Sequence, residues 1–151
     1  MNTTTFTWHN NKRPNLPVHQ VYGFCFTTDN NVLIVRDKGE KRLSLVGGRL
    51  EEGETAEQAM IREAKEEANI ELVDVKLLGY LEVEVKNENG FVAHHMQARF
   101  VAKVKNPVDI KASNEIEETK EVDQSELINY IGWLKYDTGR EIYADMLTAR
   151  S

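Results

Sequence analysis

Glu63 lies three residues before Glu66 and four before Glu67 in a stretch of strong helix formers. That spacing gathers the three acids on one helical face. Acidic runs on helices are usually solvated surface. Here, at roughly 100° per residue, the acidic face overlaps the apolar side of the wheel or its border, where Ala56, Ala59, Met60, Ala64 and Ala68 fall. Like charges held there repel one another, and partial burial adds to the cost unless a cation or a proton neutralises them. Oxygen-only ligands with room for water and substrate phosphates suit Mg²⁺, with Mn²⁺ as a substitute. The chemistry expected of such residues is metal-assisted cutting of a diphosphate.

The elements that must position these acids can be read on either side. Thr55 is placed to cap the helix, and Gln58 completes a capping box. Leu43, Leu45 and Val46 read as a short strand. Gly47 and Gly48 after it are expected to bend the chain sharply and come close to a ligand, offering carbonyls to a metal or amides to a phosphate.

The segment Gly48 to Ile70, GRLEEGETAEQAMIREAKEEANI, resembles the Nudix box, GX5EX7REUXEEXGU, of the MutT-like Nudix hydrolases. Gly48, Glu54, Arg62, Glu63, Glu66, Glu67 and Ile70 occupy its fixed positions. Two residues depart from the pattern. Ala64 replaces a larger aliphatic, which predicts a thinner contact between helix and sheet. Asn69 replaces the last glycine, and asparagine also tolerates the left-handed helix end.

The resemblance implies an α+β fold, an α/β/α sandwich around a central mixed β-sheet, with residues 1–151 as one domain. It implies that Glu63, Glu66 and Glu67 are catalytic and bind the metal ions, with the carbonyl of Gly47 as a further ligand. Glu54 and Arg62 would pair and brace the loop, a structural role shared with Gly48. Water would attack phosphorus in a nucleoside diphosphate derivative, with Glu63 or a glutamate from a later loop taking the proton. The stretch Glu115 to Val122 is similar to the loop that often supplies that later acid, although Glu121 stands where tryptophan is usual. Glu118 and Glu115 are the favoured candidates in it, and Glu118 is carried as a metal ligand.

Composition narrows the partners. A chain of 151 residues can bury a real core. A net charge of -6 with no basic stripe disfavours long nucleic acid and favours small nucleotides. The lone cysteine, Cys25, sits in an apolar run and reads as a buried thiol. The N-terminus lacks an apolar signal core, and the longest aliphatic run, Val32 to Val35, is too short to span a bilayer. No membrane partner and a cytoplasmic location are the default expectations, and a homodimer is left open.

The remaining elements are expected in the following order. Residues 1–17 form an extended entry segment, and Val18 to Thr27 and Val32 to Arg36 form a hairpin. Val73 to Lys86 and Phe91 to Lys105 form two long strands, with Val92 and Met96 on the buried face of the second and Gln97 and Arg99 on the polar face. Ser125 to Trp133 and Gly139 to Thr148 read as helices. Arg36, Arg49 and Arg99 are the candidates for meeting phosphate. Among the histidines, His94 reads as a core residue and His95 as able to approach a substrate. Neither has ligand spacing to another His or Cys, and His9 and His19, in or beside the N-terminal segment, offer no constellation.

Subgroup signatures after the box are missing. Neither the proline of ADP-ribose hydrolases nor the tyrosine of dinucleoside polyphosphate hydrolases stands at its place, Tyr80 being too early, and the NADH hydrolase pattern is absent. By elimination, nucleoside triphosphates or related small nucleotides lead, ahead of nucleotide sugars and ADP-ribose. The alternative is a non-catalytic module that senses a nucleotide or nucleotide sugar, a reading weakened by the retention of all three box acids.

Overall fold

The computed structural model describes residues 1–106 and 108–150; Pro107 and Ser151 lie outside them. Seven strands form one mixed sheet: β1 (Thr3–His9), β2 (Val18–Phe26), β3 (Asn31–Asp37), β4 (Ser44–Arg49), β5 (Leu72–Asn87), β6 (Gly90–Val104) and β7 (Ile116–Asp123). Their spatial order is β1-β5-β6-β2-β4-β3-β7, and the β2–β6 pair alone is parallel.

Alternation along β2 shows how the sheet builds two cores. Val21 and Cys25 face the helix α1 (Ala56–Ala68), meeting Ala59, Met60 and Ala64. Phe24 and Phe26 face the other way, toward α2 (Leu127–Tyr130) and α3 (Asp137–Arg150), where Leu127, Ile142 and Met146 are buried. Successive side chains on a strand point to opposite faces, so one strand serves both layers. The expected α/β/α sandwich is present.

Local signals are realised closely in α1. Thr55 accepts from the Gln58 amide at 3.1 Å, and the Gln58 side chain accepts from the Thr55 amide at 3.0 Å. Such a cap is worth about 1 kcal/mol. Asn69 closes the helix in the left-handed region at φ 57°, the conformation its short polar side chain tolerates. Ala64 is fully buried and brings the helix near the sheet.

Several expectations need correction. Gly47 and Gly48 do not form a bend: they continue β4 and pair with Tyr22 and Val21 of β2. The acidic stretch after Glu115 is not a loop but β7, paired with β3 along its length. The entry segment contains an edge strand, because Thr3 to His9 pair with β5. The helix expected over Ser125 to Trp133 is broken into α2 and two flanking single-turn segments, Gln124–Glu126 and Gly132–Lys135. On β6, Val92 is exposed, while Arg99 is only 4% exposed. Val92 lies near the Asn87–Gly90 turn of the β5–β6 hairpin, whereas Arg99 lies where the sheet is covered. The hairpin of β2 and β3 is short, limited to Cys25↔Leu33 and Phe26↔Val32; β3 then passes from β2 to β4, while β7 pairs along its other edge. No described helix is long and apolar enough to cross a membrane.

Candidate active site

The α1 acids meet β4 at its two glycines, which are there for close approach. A Cβ on Gly48 would lie 2.7 Å from the Glu63 carboxyl carbon. A Cβ on Gly47 would lie 2.0 Å from the Val21 carbonyl oxygen. The Gly47 amide donates to Glu67 Oε1 at 2.9 Å. Two missing side chains thus let a helix carboxylate reach the strand backbone.

Electrostatics sort the three acids. Burial, reinforced by Glu63, Asp37 and Glu115, pushes the Glu67 carboxyl up to about 8, although the Gly47 amide pulls the other way. Glu63 is also raised, first by burial, with Arg62 opposing. Glu66 is exposed and bonds to Arg62 Nη1 at 3.0 Å. Arg62 is the hub of the loop: it grips Glu54 in a fork at 2.6 and 3.0 Å, donates to Glu63 at 2.9 Å, and reaches the Arg49 carbonyl at 2.9 Å. Its hydrogen bond to Glu54 holds that carboxyl below its ordinary range. The Glu54–Arg62 pair therefore ties the loop after β4 to α1.

Next to Glu67 stand two further carboxylates, Asp37 at the end of β3 and Glu115 just before β7, with all three lining one hollow. Burial, Glu40 and Glu115 raise Asp37. Asp37 escaped the sequence reading because its neighbours in the chain are an arginine and a lysine. Its role comes from β3 ending beside Glu67. Glu118 stands elsewhere. It pairs across the strands with Arg36, Nε to Oε1 at 3.2 Å, on the α2 side of the sheet. Strand alternation sends Ile34 and Arg36 to that side and Val35 to the α1 side.

A cleft of about 580 Å³ opens from Gly47, Gly48 and Glu67 toward Tyr22, Arg99 and Trp133. Arg99 lies with its guanidinium carbon 4.9 Å from the Tyr22 ring centre and 5.5 Å from that of Trp133. Nη2 donates to Gln97 at 3.0 Å, while Nε and Nη1 have no hydrogen-bond partner among the described residues. Burial lowers the Arg99 pKa to about 10. Arg49 also lines this cleft, whereas Arg36 lies in the adjoining hollow with Glu118. Tyr22 and Trp133 were not singled out from sequence, since only the folded sheet brings β2, β6 and the segment before α3 together.

A NUDIX domain model matches residues 18–146. The chain belongs to the Nudix hydrolase family. It is thereby a hydrolase of phosphoanhydride bonds, and the box acids above are its signature. The Nudix fold recurs in solved structures of low identity. A mutant of the Bacillus subtilis pyrophosphohydrolase BsRppH is 18% identical, with a TM-score of 0.74 over 97% of this chain and 92% of that one. A Caenorhabditis elegans Ap4A hydrolase is 19% identical, with a TM-score of 0.65 over 87% and 98%. A MutT structure, of the Aliivibrio salmonicida and Vibrio cholerae pair of enzymes, is 22% identical, with a TM-score of 0.59 over 85% and 98%. No curated protein matches the sequence. These likenesses establish the fold.

Proposed function

We propose that this Nudix protein hydrolyses a diphosphate linkage in a small nucleotide, a nucleoside triphosphate or a related compound, with Mg²⁺ as cofactor and Mn²⁺ able to replace it. The observation that carries the reading is Glu67, a largely buried carboxylate facing Glu63, Asp37 and Glu115 with no basic side chain bonded to it among the described residues. An anion so placed is stable only with a proton or a hard cation beside it. The donor set is all oxygen, which fits Mg²⁺. Glu63, Glu66 and Glu67 would hold the metal, with the Gly47 carbonyl, and Glu115 and Asp37 are the acids placed to complete the set.

When bound, the metal would neutralise phosphate oxygens and lower the pKa of attacking water. The protein's own part is position and charge. Gly47 and its amide fix Glu67, and Arg62 fixes Glu63, so neither acid must reorganise when a substrate arrives. Glu63, raised by burial, is suited to accept a proton from water. Arg99 and Arg49 give the cleft positive charge for the phosphate chain, and the Tyr22 and Trp133 rings offer flat surfaces for a base.

The test is a panel of nucleoside triphosphates, ADP-ribose, nucleotide sugars and dinucleoside polyphosphates with Mg²⁺, read as released phosphate or mononucleotide. The expected result is turnover highest on triphosphates and dependent on the metal. Absence of metal-dependent turnover on every compound would overturn the catalytic reading and favour nucleotide sensing.

A further inference from the structure

Away from the box, three strands converge two histidines and two glutamates. His9 on β1 bonds through Nε2 to Glu82 Oε1 at 2.8 Å. His94 on β6 bonds through Nε2 to Glu82 Oε2 at 2.7 Å. Glu84 stands two residues on from Glu82, on the same face of β5 and directly across from His94. One ligand atom from each of Glu82, Glu84 and His94 lies within 4.8 Å of the others, and His9 adjoins that trio through its bond to Glu82. The four side chains are between 19% and 28% exposed, sheltered yet reachable by an ion. The Phe91 ring stacks on His94 at 4.7 Å with planes 3° apart and fixes the imidazole's orientation. Lys86 Nζ, 3.4 Å from Glu84 Oε1, is the one cation at this place among the described residues.

We propose that His9, Glu82, Glu84 and His94 form a binding site for a borderline divalent transition ion, Zn²⁺ being the representative, distinct from the Mg²⁺ set on α1. The chemistry of the donors decides the class. Two imidazole nitrogens with two carboxylates match a four-coordinate zinc set, whereas the oxygen-only acids of the box suit a hard ion. Both Nε2 atoms already aim at one carboxylate, so the ion takes the place of two hydrogen bonds. Each Nε2 gives up its proton to Nδ1 or to solvent, and Glu84 turns from Lys86 to the metal. Contraction to zinc distances of about 2.0–2.2 Å is needed, and side-chain torsions of Glu82 and Glu84 can supply it. Sheet anchoring keeps the ligands together: β1 pairs with β5 through Thr7↔Glu82 and His9↔Tyr80, and β5 with β6 through Glu84↔His94. The ion would therefore bolt the edge strand β1 to the long hairpin.

Calorimetric titration of the chelator-treated full chain with Zn²⁺, in buffer holding excess Mg²⁺ and no nucleotide, tests this directly. One Zn²⁺ per chain is expected, with affinity falling about 10-fold or more in His94→Gln and in His9→Gln and unchanged in Glu67→Gln. Zinc-dependent movement of the His9 and His94 ring nitrogen signals in the wild-type chain gives a readout that needs no variant. The proposal is overturned by no binding, by equal binding in wild type and both histidine variants, by still ring signals, or by loss of binding in Glu67→Gln, which would place the ion at the box.

Discussion

Two acidic clusters in this molecule are built in opposite ways. Around α1, Glu63 and Glu67 are pressed onto glycines of β4 by helix packing, and burial raises both carboxyls. Around β5, Glu82 accepts from His94 and His9, and those bonds hold its carboxyl below the usual range. One cluster is short of protons and cations, while the other already has imidazole donors bonded to its carboxylate. The difference teaches that like residues become reactive or structural according to what is buried with them. It also separates the metals each could hold: hard ions where every donor is oxygen, borderline ions where imidazole joins.

The largest effect expected from breaking this contrast lies at Glu67. Glu67→Gln keeps shape and the Gly47 bond but removes the charge, so Mg²⁺-dependent turnover should fall by about 100-fold or more. Steady-state rates across Mg²⁺ concentrations check it, and full turnover in the variant would remove Glu67 from the metal set. Glu82→Gln should leave the rate within about twofold, since its cluster lies outside the cleft.

Glycine substitutions sharpen the same point by separating stability from activity. Gly47→Ala places a methyl against the backbone oxygen of Val21, which cannot move aside, so the fold should lose about 3 kcal/mol or more. Gly48→Ala meets only the far end of Glu63. That carboxyl can swing away, so stability should change by under about 1 kcal/mol while turnover drops by about 10-fold or more. Urea unfolding and rate measurements on both variants decide the matter; equal stability losses would mean that Glu63 is held more rigidly than its contacts imply.

A smaller effect is the pH dependence of the metal-free chain. The folded-state carboxyl of Glu67 is raised from 4.5 to about 8, so folding favours its protonated form. Its contribution to stability is present below the ordinary pKa and is lost as pH rises through about 8. Glu63 adds to the same trend. Unfolding free energy without metal should fall by about 1–3 kcal/mol from acid to alkaline conditions. Glu67→Gln should flatten that slope. Identical slopes in variant and wild type would show that the acid is solvated.

How much of this was legible in the sequence follows the range of each interaction. The Thr55–Gln58 box, the Asn69 cap and the Glu54–Arg62 pair depend on residues close in the chain, and all three were readable in advance. The Gly47–Gly48 bend was misread because close approach and turning call for the same residue. The cleft residues Tyr22 and Trp133, and the place of Asp37 beside Glu67, need strands distant in sequence to become neighbours. His9 and His94 showed no ligand spacing, yet strand register brings both onto one carboxylate. Pairings of that kind depend on register, which no short motif encodes.

The smallest predicted difference, between Glu115 and Glu118, turns on one irregularity. Register on β7 shifts between Arg36↔Glu118 and Asp37↔Ile116, so that one extra residue of β7, Glu117, lies between the partners of two residues adjacent on β3. Such a bulge re-aims the side chains beyond it. Glu118 stays on the α2 side with Arg36, while Glu115, beyond the irregularity, joins Asp37 and Glu67. Glu115→Gln should therefore slow metal-dependent turnover by about 3- to 10-fold, since an exposed and adaptable acid can be replaced in part by water. Glu118→Gln should leave it within about twofold, because it loses only a partly exposed pairing with Arg36. Rates at limiting Mg²⁺ separate the two variants most clearly. If Glu118→Gln were the slower, the chemistry would extend through the sheet to the α2 side, and the acids gathered on α1 would be only half of the centre.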